Sequence, residues 1–123
     1  MMTIAFGCVV IALFFPYLFT ILAKRAKPGY NNHYPRDYLA SLDGWPKRAH
    51  CVQMNSFEAF PAFAAGVIIA HLQGAPQHTV DMLAMAFIVL RIIYALFYLT
   101  DKASLRSLAW ALGFVCTLSL YFV

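Results

Sequence analysis

The chain has 123 residues, of which 63% are hydrophobic and 11% charged, and its formal net charge is +4. So much apolar surface exceeds what one soluble core of this length can bury, so lipid must cover part of it. The positive charge forms no stripe with interleaved aromatics that would suit nucleic acid. Basic residues flank apolar runs instead, as membrane topology requires.

The first expected span covers residues 2–24. Met1 to Ala23 carries no charged side chain, and about 20 apolar residues cross the hydrocarbon. Lys24, Arg25 and Lys27 follow the run rather than precede it, which favours a retained span over a signal peptide. Pro16 is expected to kink it. The long connection "KRAKPGYNNHYPRDYLASLDGWPKR" then carries "PRDYLASL", where Pro followed by Asp suits a short helix lying at the interface. Its tyrosines and Trp45 suit the headgroup zone.

The second span is expected over 46–72 and ends at "QGAPQH", a tight turn with both Gly and Pro. The third covers 79–99. "TDKAS" breaks the pattern, with Thr100 or Asp101 as a helix cap, and the fourth span covers 103–122. The expected fold is a single all-α membrane domain over 1–123. Six basic residues sit in or beside the first connection: Lys24, Arg25, Lys27, Arg36, Lys47 and Arg48. Lys102 and Arg106 flank the third connection, Arg91 lies inside a span, and the second connection has none. The charge rule therefore puts the first and third connections in the cytoplasm and both termini outside.

Helical residues advance by about 100° each. Arg48, Cys51, Asn55, Glu58 and Ala62 then share one face of the second span, with Gln53 on nearly the opposite face. Arg91, Tyr94 and Tyr98 make a matching stripe on the third. At about 1.5 Å per residue, Asn55 and Arg91 both lie roughly 13 Å from the cytoplasmic side, so the stripes match in depth. Glu58 or Arg91 alone in hydrocarbon costs several kcal/mol, and an interhelical ion pair between them would offset most of that. Asn55 would then act as polar glue, or the stripe lines a functional cavity.

Cys8, Cys51 and Cys116 share no CxxC spacing and suggest neither a disulfide framework nor a metal site. They are expected as small buried residues. His33, His50, His71 and His78 show no ligand spacing and are expected to be solvated or interfacial.

The segment "RAHCVQMNSFEAFPAF" (Arg48 to Phe63), with "RIIYALFY" (Arg91 to Tyr98) one span later, resembles the MAPEG family. These are membrane-associated proteins of eicosanoid and glutathione metabolism, and "GWPKRAHCVQMNSFEAFPAF" resembles their bacterial-type branch more than the animal enzymes. The resemblance implies a left-handed four-helix bundle assembling as a homotrimer. It implies glutathione sites between subunits, toward the cytoplasmic side, in a multi-pass protein of a bacterial inner membrane. Carried over by position, Asn55, Glu58, Arg91, Tyr94 and Tyr98 match glutathione-site residues. Arg48 matches a basic position at the span's entrance, and Gln53 would serve a neighbouring subunit's site. Arg106 matches the thiol-activating arginine if the third connection is one residue longer here. Two departures stand out. Cys51 replaces the usual Arg four residues before the Asn, and Ala59 stands where the eicosanoid synthases often carry Tyr.

The implied activity is that of a glutathione transferase or peroxidase, with Arg106 and Tyr94 as catalytic residues. Glutathione would be the cosubstrate and a lipophilic electrophile or hydroperoxide the acceptor; no metal is expected. The side chains suit this chemistry. Arginine can hold a carboxylate, Glu58 an ammonium, and Asn55 and the tyrosines amides. A guanidinium beside a thiol favours the thiolate. Two alternatives remain: a non-catalytic binding protein for lipophilic ligands, and a small proton-coupled transporter subunit using Glu58.

Overall fold

The computed structural model describes residues 1–26 and 28–123. Lys27, one of the basic residues of the first connection, lies outside them. The described residues form four long helices and one short one: α1 (Ile4–Arg25), α2 (Pro35–Ala40), α3 (Gly44–Leu72), α4 (Gln77–Leu99) and α5 (Ala103–Leu120). The long helices are each apolar enough to cross a membrane. The short helix is the expected "PRDYLASL" element, with Tyr38 and Leu39 turned inward.

Helix ends follow local chemistry. Thr3 Oγ1 accepts from the Phe6 N–H at 3.1 Å, and Asp81 Oδ1 of α4 accepts from the Ala5 N–H at 2.9 Å. Two of the four free donors at the start of α1 are thus satisfied, one of them by a carboxylate at the positive end of the helix dipole. α3 begins at Gly44, two residues before the expected start, because Pro46 in the first turn forfeits only a donor that lacks a helical partner anyway. α1 and α3 are continuous through Pro16 and Pro61.

Two connections are closed in the same way. After α3, Gly74 takes φ +70°, its N–H donates to His71 O, and the Ala75 N–H reaches Ala70 O at 3.0 Å. After α4, Asp101 takes φ +59° and the Lys102 N–H reaches Phe97 O at 2.8 Å. Both are left-handed helix caps that satisfy the last carbonyls. Neither Thr100 nor Asp101 caps α5 as expected. Thr100 Oγ1 donates back to Leu96 O at 2.8 Å, and Asp101, a residue type that tolerates positive φ, is used for the chain reversal.

α4 packs most extensively on α5, and α1 on α3. α3 and α4 touch each other and both outer helices. The core is stacked in three clusters along the bundle. One centres on Phe63, Val67, Phe87 and Leu120, a second on Phe19, Val52 and Tyr94, and a third on Ala23, Tyr38, Leu42 and Ala49. Alanines at 5, 12, 23, 49, 70, 84, 95 and 109 are buried throughout. Small residues bring helices close where lipid offers no hydrophobic contrast, so van der Waals contact carries the packing. Exposed Leu, Ile, Val and Phe cover the outside of α1 and α5, as a lipid-facing surface needs.

α3 packs tightly on the end of α5 at Gly66. A Cβ there would lie 3.1 Å from Tyr121 Cε2 and 3.2 Å from Leu120 Cβ. Nearby, Tyr121 Oη donates to Ala62 O at 2.8 Å. A branched side chain there requires the Tyr121 ring and Leu120 to give way. Gly66→Val should therefore lower stability by roughly 1–3 kcal/mol. At Gly113 a Cβ would sit in ordinary contact, 3.9 Å from Leu90 Cβ. Gly113→Ala should change stability by under about 0.5 kcal/mol. Thermal unfolding of the purified protein in detergent compares the two, and equal losses would refute the close contact.

Candidate functional site

The antiparallel helix order gathers the basic residues. The end of α1, the start of α3, the end of α4 and the start of α5 share one end of the bundle. Lys24, Arg25, Lys47, Arg48, Lys102 and Arg106 lie there. Toward this end α3 and α5 separate, leaving a groove with α4 as its floor. It holds two chambers. The inner one, about 160 Å³, is lined by Asn55 and Glu58 of α3, Arg91 of α4, and apolar side chains including Phe87 and Phe114. The mouth, about 260 Å³, is lined by Asn55, Tyr94, Tyr98, Arg106, Ser107 and Trp110. Asn55 and Trp110 belong to both. The depth match inferred for Asn55 and Arg91 is thus met in space.

The expected ion pair between Glu58 and Arg91 does not form. Arg91 is 5% exposed, and its Nη2 donates to Ser56 Oγ at 3.2 Å. Its guanidinium also lies 4.3 Å above the Tyr94 ring. The reason is angular. Ser56 is buried on the inner side of α3, about 200° around the helix from Glu58, which is exposed at the open edge of the groove. The guanidinium turns inward to the hydroxyl and the ring. A cation–π contact recovers part of the cost of burying that charge, but no carboxylate among the described residues neutralises it.

From Arg91 a ladder of rings and cations climbs to the mouth. Tyr94 and Tyr98 meet edge to face at 5.6 Å, and the Arg106 guanidinium lies 4.3 Å above the Tyr98 ring. The half-buried Cys51 thiol lies beside Tyr98 on the same side of α3. Asn55 Oδ1 is buried without a hydrogen-bond donor. A buried acceptor left open is costly inside a helix bundle and marks a place for a ligand N–H.

Two candidates lie elsewhere. Arg48 Nε donates to Leu99 O at 3.3 Å, so Arg48 closes the C-terminal end of α4 rather than lining either chamber. Gln53 is buried within its own chain, with Oε1 3.1 Å from His50 Nδ1. His50 is tied into this pair near the start of α3, and the exposed His71 packs against Phe6 at 5.2 Å. Among the described residues no three His, Cys, Asp or Glu side chains stand together as a metal cluster.

Sequence reasoning missed Ser56, Trp110 and Asp81. Ser56 lies one position off the polar stripe, and a lone serine in a span carries no distinguishing pattern. Trp110 did leave a signal. Arg106, Trp110, Gly113, Phe114 and Thr117 follow helical spacing on one face of α5, and the last four all line the inner chamber.

The groove thus offers a buried cation without a carboxylate, an acceptor without a donor, a carboxylate at its edge, and a second guanidinium at its mouth. That set is complementary to a small ligand carrying a carboxylate, an ammonium or amide N–H, and an ionisable group that benefits from a nearby cation. No curated protein and no solved structure matches the chain. The MAPEG family does match it, over residues 1–123, and the chain belongs to that family.

Proposed function

We propose that the protein is a glutathione-dependent membrane transferase or peroxidase. The observation that carries this reading is the unneutralised Arg91 sharing one chamber with the open Asn55 oxygen and the Glu58 carboxylate. Glutathione supplies the missing groups: two carboxylates, an ammonium, amide N–H groups and a thiol. Arg91 takes a carboxylate, Asn55 an N–H and Glu58 the ammonium. The thiol then lies at the mouth, where Arg106 stabilises the thiolate and the Tyr94 hydroxyl supports it. The thiolate attacks a lipophilic electrophile, or the outer oxygen of a hydroperoxide, reaching the groove from the bilayer. We further propose a homotrimer of the bacterial-type branch, in which a second copy covers the open side of the groove. Arg48 and Gln53 would then support the site by fixing α4 and α3.

Arg106→Gln tests the central role. The guanidinium favours the ionised thiol, so its loss raises the pH at which bound glutathione ionises. The ultraviolet thiolate signal should move to higher pH while binding persists. Below the wild-type midpoint, conjugation should fall about tenfold for every pH unit by which the midpoint rises. An unmoved titration would leave Arg106 as an ordinary flanking charge and favour the non-catalytic binding protein. Absence of any glutathione binding by the wild type, with pH-driven flux in vesicles instead, would favour the transporter.

Cys51→Arg should tighten glutathione binding by about tenfold, the value of one added charge-assisted hydrogen bond. Position 51 adjoins Tyr98 at the mouth and is shallow enough for the new guanidinium to snorkel. Calorimetry on the folded variant measures it. A weaker dissociation constant would mean that the carboxylate is held from another side.

Orientation follows from the clustered basic end, which we propose faces the cytoplasm with both termini outside. A reporter that is active only outside the cytoplasm should work when fused after Val123. Activity of a cytoplasm-only reporter at the same point would reverse the topology.

A further inference from the structure

Several hydroxyls on the long helices are spent on their own backbone. Thr20, Thr100 and Ser119 each donate to the carbonyl oxygen four residues back. Thr117 of α5 differs. It is 4% exposed, lines the inner chamber, and makes no hydrogen bond among the described residues. A buried hydroxyl in that state costs free energy unless a ligand meets it. The same chamber holds two more acceptors: the buried Asn55 Oδ1, which no donor reaches, and the Glu58 carboxylate. Both belong to α3, across the groove from Thr117. Thr117 and Glu58 also match in depth, since each stands about 14 residues, or roughly 21 Å, from the start of its helix at the basic end.

Three acceptors around one chamber match the three N–H donors of a primary ammonium. Beside them Arg91, buried and without a carboxylate partner among the described residues, offers a place for an anion. An ammonium and a carboxylate on one carbon make an amino-acid head, and glutathione carries one at its γ-glutamyl end. We infer that the inner chamber is the receptor for this head, that Thr117 is a specificity-determining residue within it, and that the cosubstrate class is γ-glutamyl thiols rather than the tripeptide alone. The inference rests on the transferase reading above. Length agrees with it. Thr117 lies eleven residues beyond Arg106 on α5, about 16 Å by helical rise. An extended γ-glutamyl-cysteine unit of about 10 Å, with a hydrogen bond of about 3 Å at each end, fills that distance. The glycine end has no comparable receptor. Arg91 and Arg106 are the cations lining the two chambers, and they are taken by the head's carboxylate and by the thiolate. Arg48 is bound to Leu99 O. The glycine carboxylate therefore stays at the mouth, in contact with water.

The test compares glutathione with glutaryl-cysteinylglycine, which keeps both carboxylates and the thiol and lacks only the ammonium. Calorimetry on the purified wild type in detergent should show glutathione bound about a hundredfold more tightly. Equal binding of the two would overturn the inference while leaving the transferase reading intact, and that comparison needs no variant. Thr117→Val keeps the shape of the side chain and removes its hydroxyl. It should lower the preference for glutathione about tenfold, the value of one hydrogen bond to a charged group, and Thr117→Ser should restore most of it. A preference unchanged in Thr117→Val would overturn the role of Thr117. With the wild type, γ-glutamylcysteine should bind within about threefold of glutathione. A loss of about a hundredfold on removing the glycine would show that the opposite end of the tripeptide is read and would overturn the assignment of the chamber. No binding of any of the three thiols would overturn the transferase reading as well.

Discussion

Arg91 is buried among four membrane-spanning helices with a serine hydroxyl and a phenol ring as its partners, and with no carboxylate among the described residues to neutralise it. A cation in that position is stable only if the packing around it is fixed and a path to an anion stays open. Both conditions are met by the helix arrangement. α3 and α4 are locked together through the stacked Phe63 and Phe87 rings, 4.0 Å apart, and through the Ser56 contact itself. α5 then leans on α4 and leaves α3 after Gly66, so the charge sits on the floor of an open groove rather than in a sealed core. Asn55 and the ladder of Tyr94, Tyr98 and Arg106 line the same opening.

Much of this organisation was legible in the sequence because it rests on periodicity. Apolar run lengths gave the four long helices to within a few residues, and the charge pattern gave which connections share an end. The 100° step put Asn55 and Glu58 on one face, and counting rise put Arg91 at the same depth. Periodicity fixes direction and depth, but it does not fix where a long side chain ends. An arginine spans several ångströms from its Cα, enough to choose between Glu58 on one side of α3 and Ser56 on the other. The error over the ion pair came from that freedom. Asp81 was missed for a related reason. Its partner is a backbone N–H 76 residues away, and no spacing encodes such a contact.

The groove also separates two kinds of recognition by helix. α3 and α4 carry most of the polar groups, and α5 carries Arg106 followed by the apolar Trp110, Gly113 and Phe114. A ligand pair with one hydrated and one greasy member can therefore meet at Arg106, each held by its own side of the site. On the proposed transferase reading, binding energy from both partners is spent on bringing two atoms together.

The contact at Gly66 has a geometric consequence. α3 and α5 pack tightly at Gly66 and Leu120, and Arg106 stands about 14 residues before Leu120 along α5, roughly 21 Å. The contact is a fulcrum and α5 is a lever arm. A tilt of about 3° at the fulcrum, within what one extra methyl group can force, displaces Arg106 by about 1 Å at the mouth. Misplacement on that scale can cost about a hundredfold in rate. The aperture at Arg106 thus depends on a glycine near the other end of the bundle, and a substitution there would reshape the groove without touching any residue that lines it.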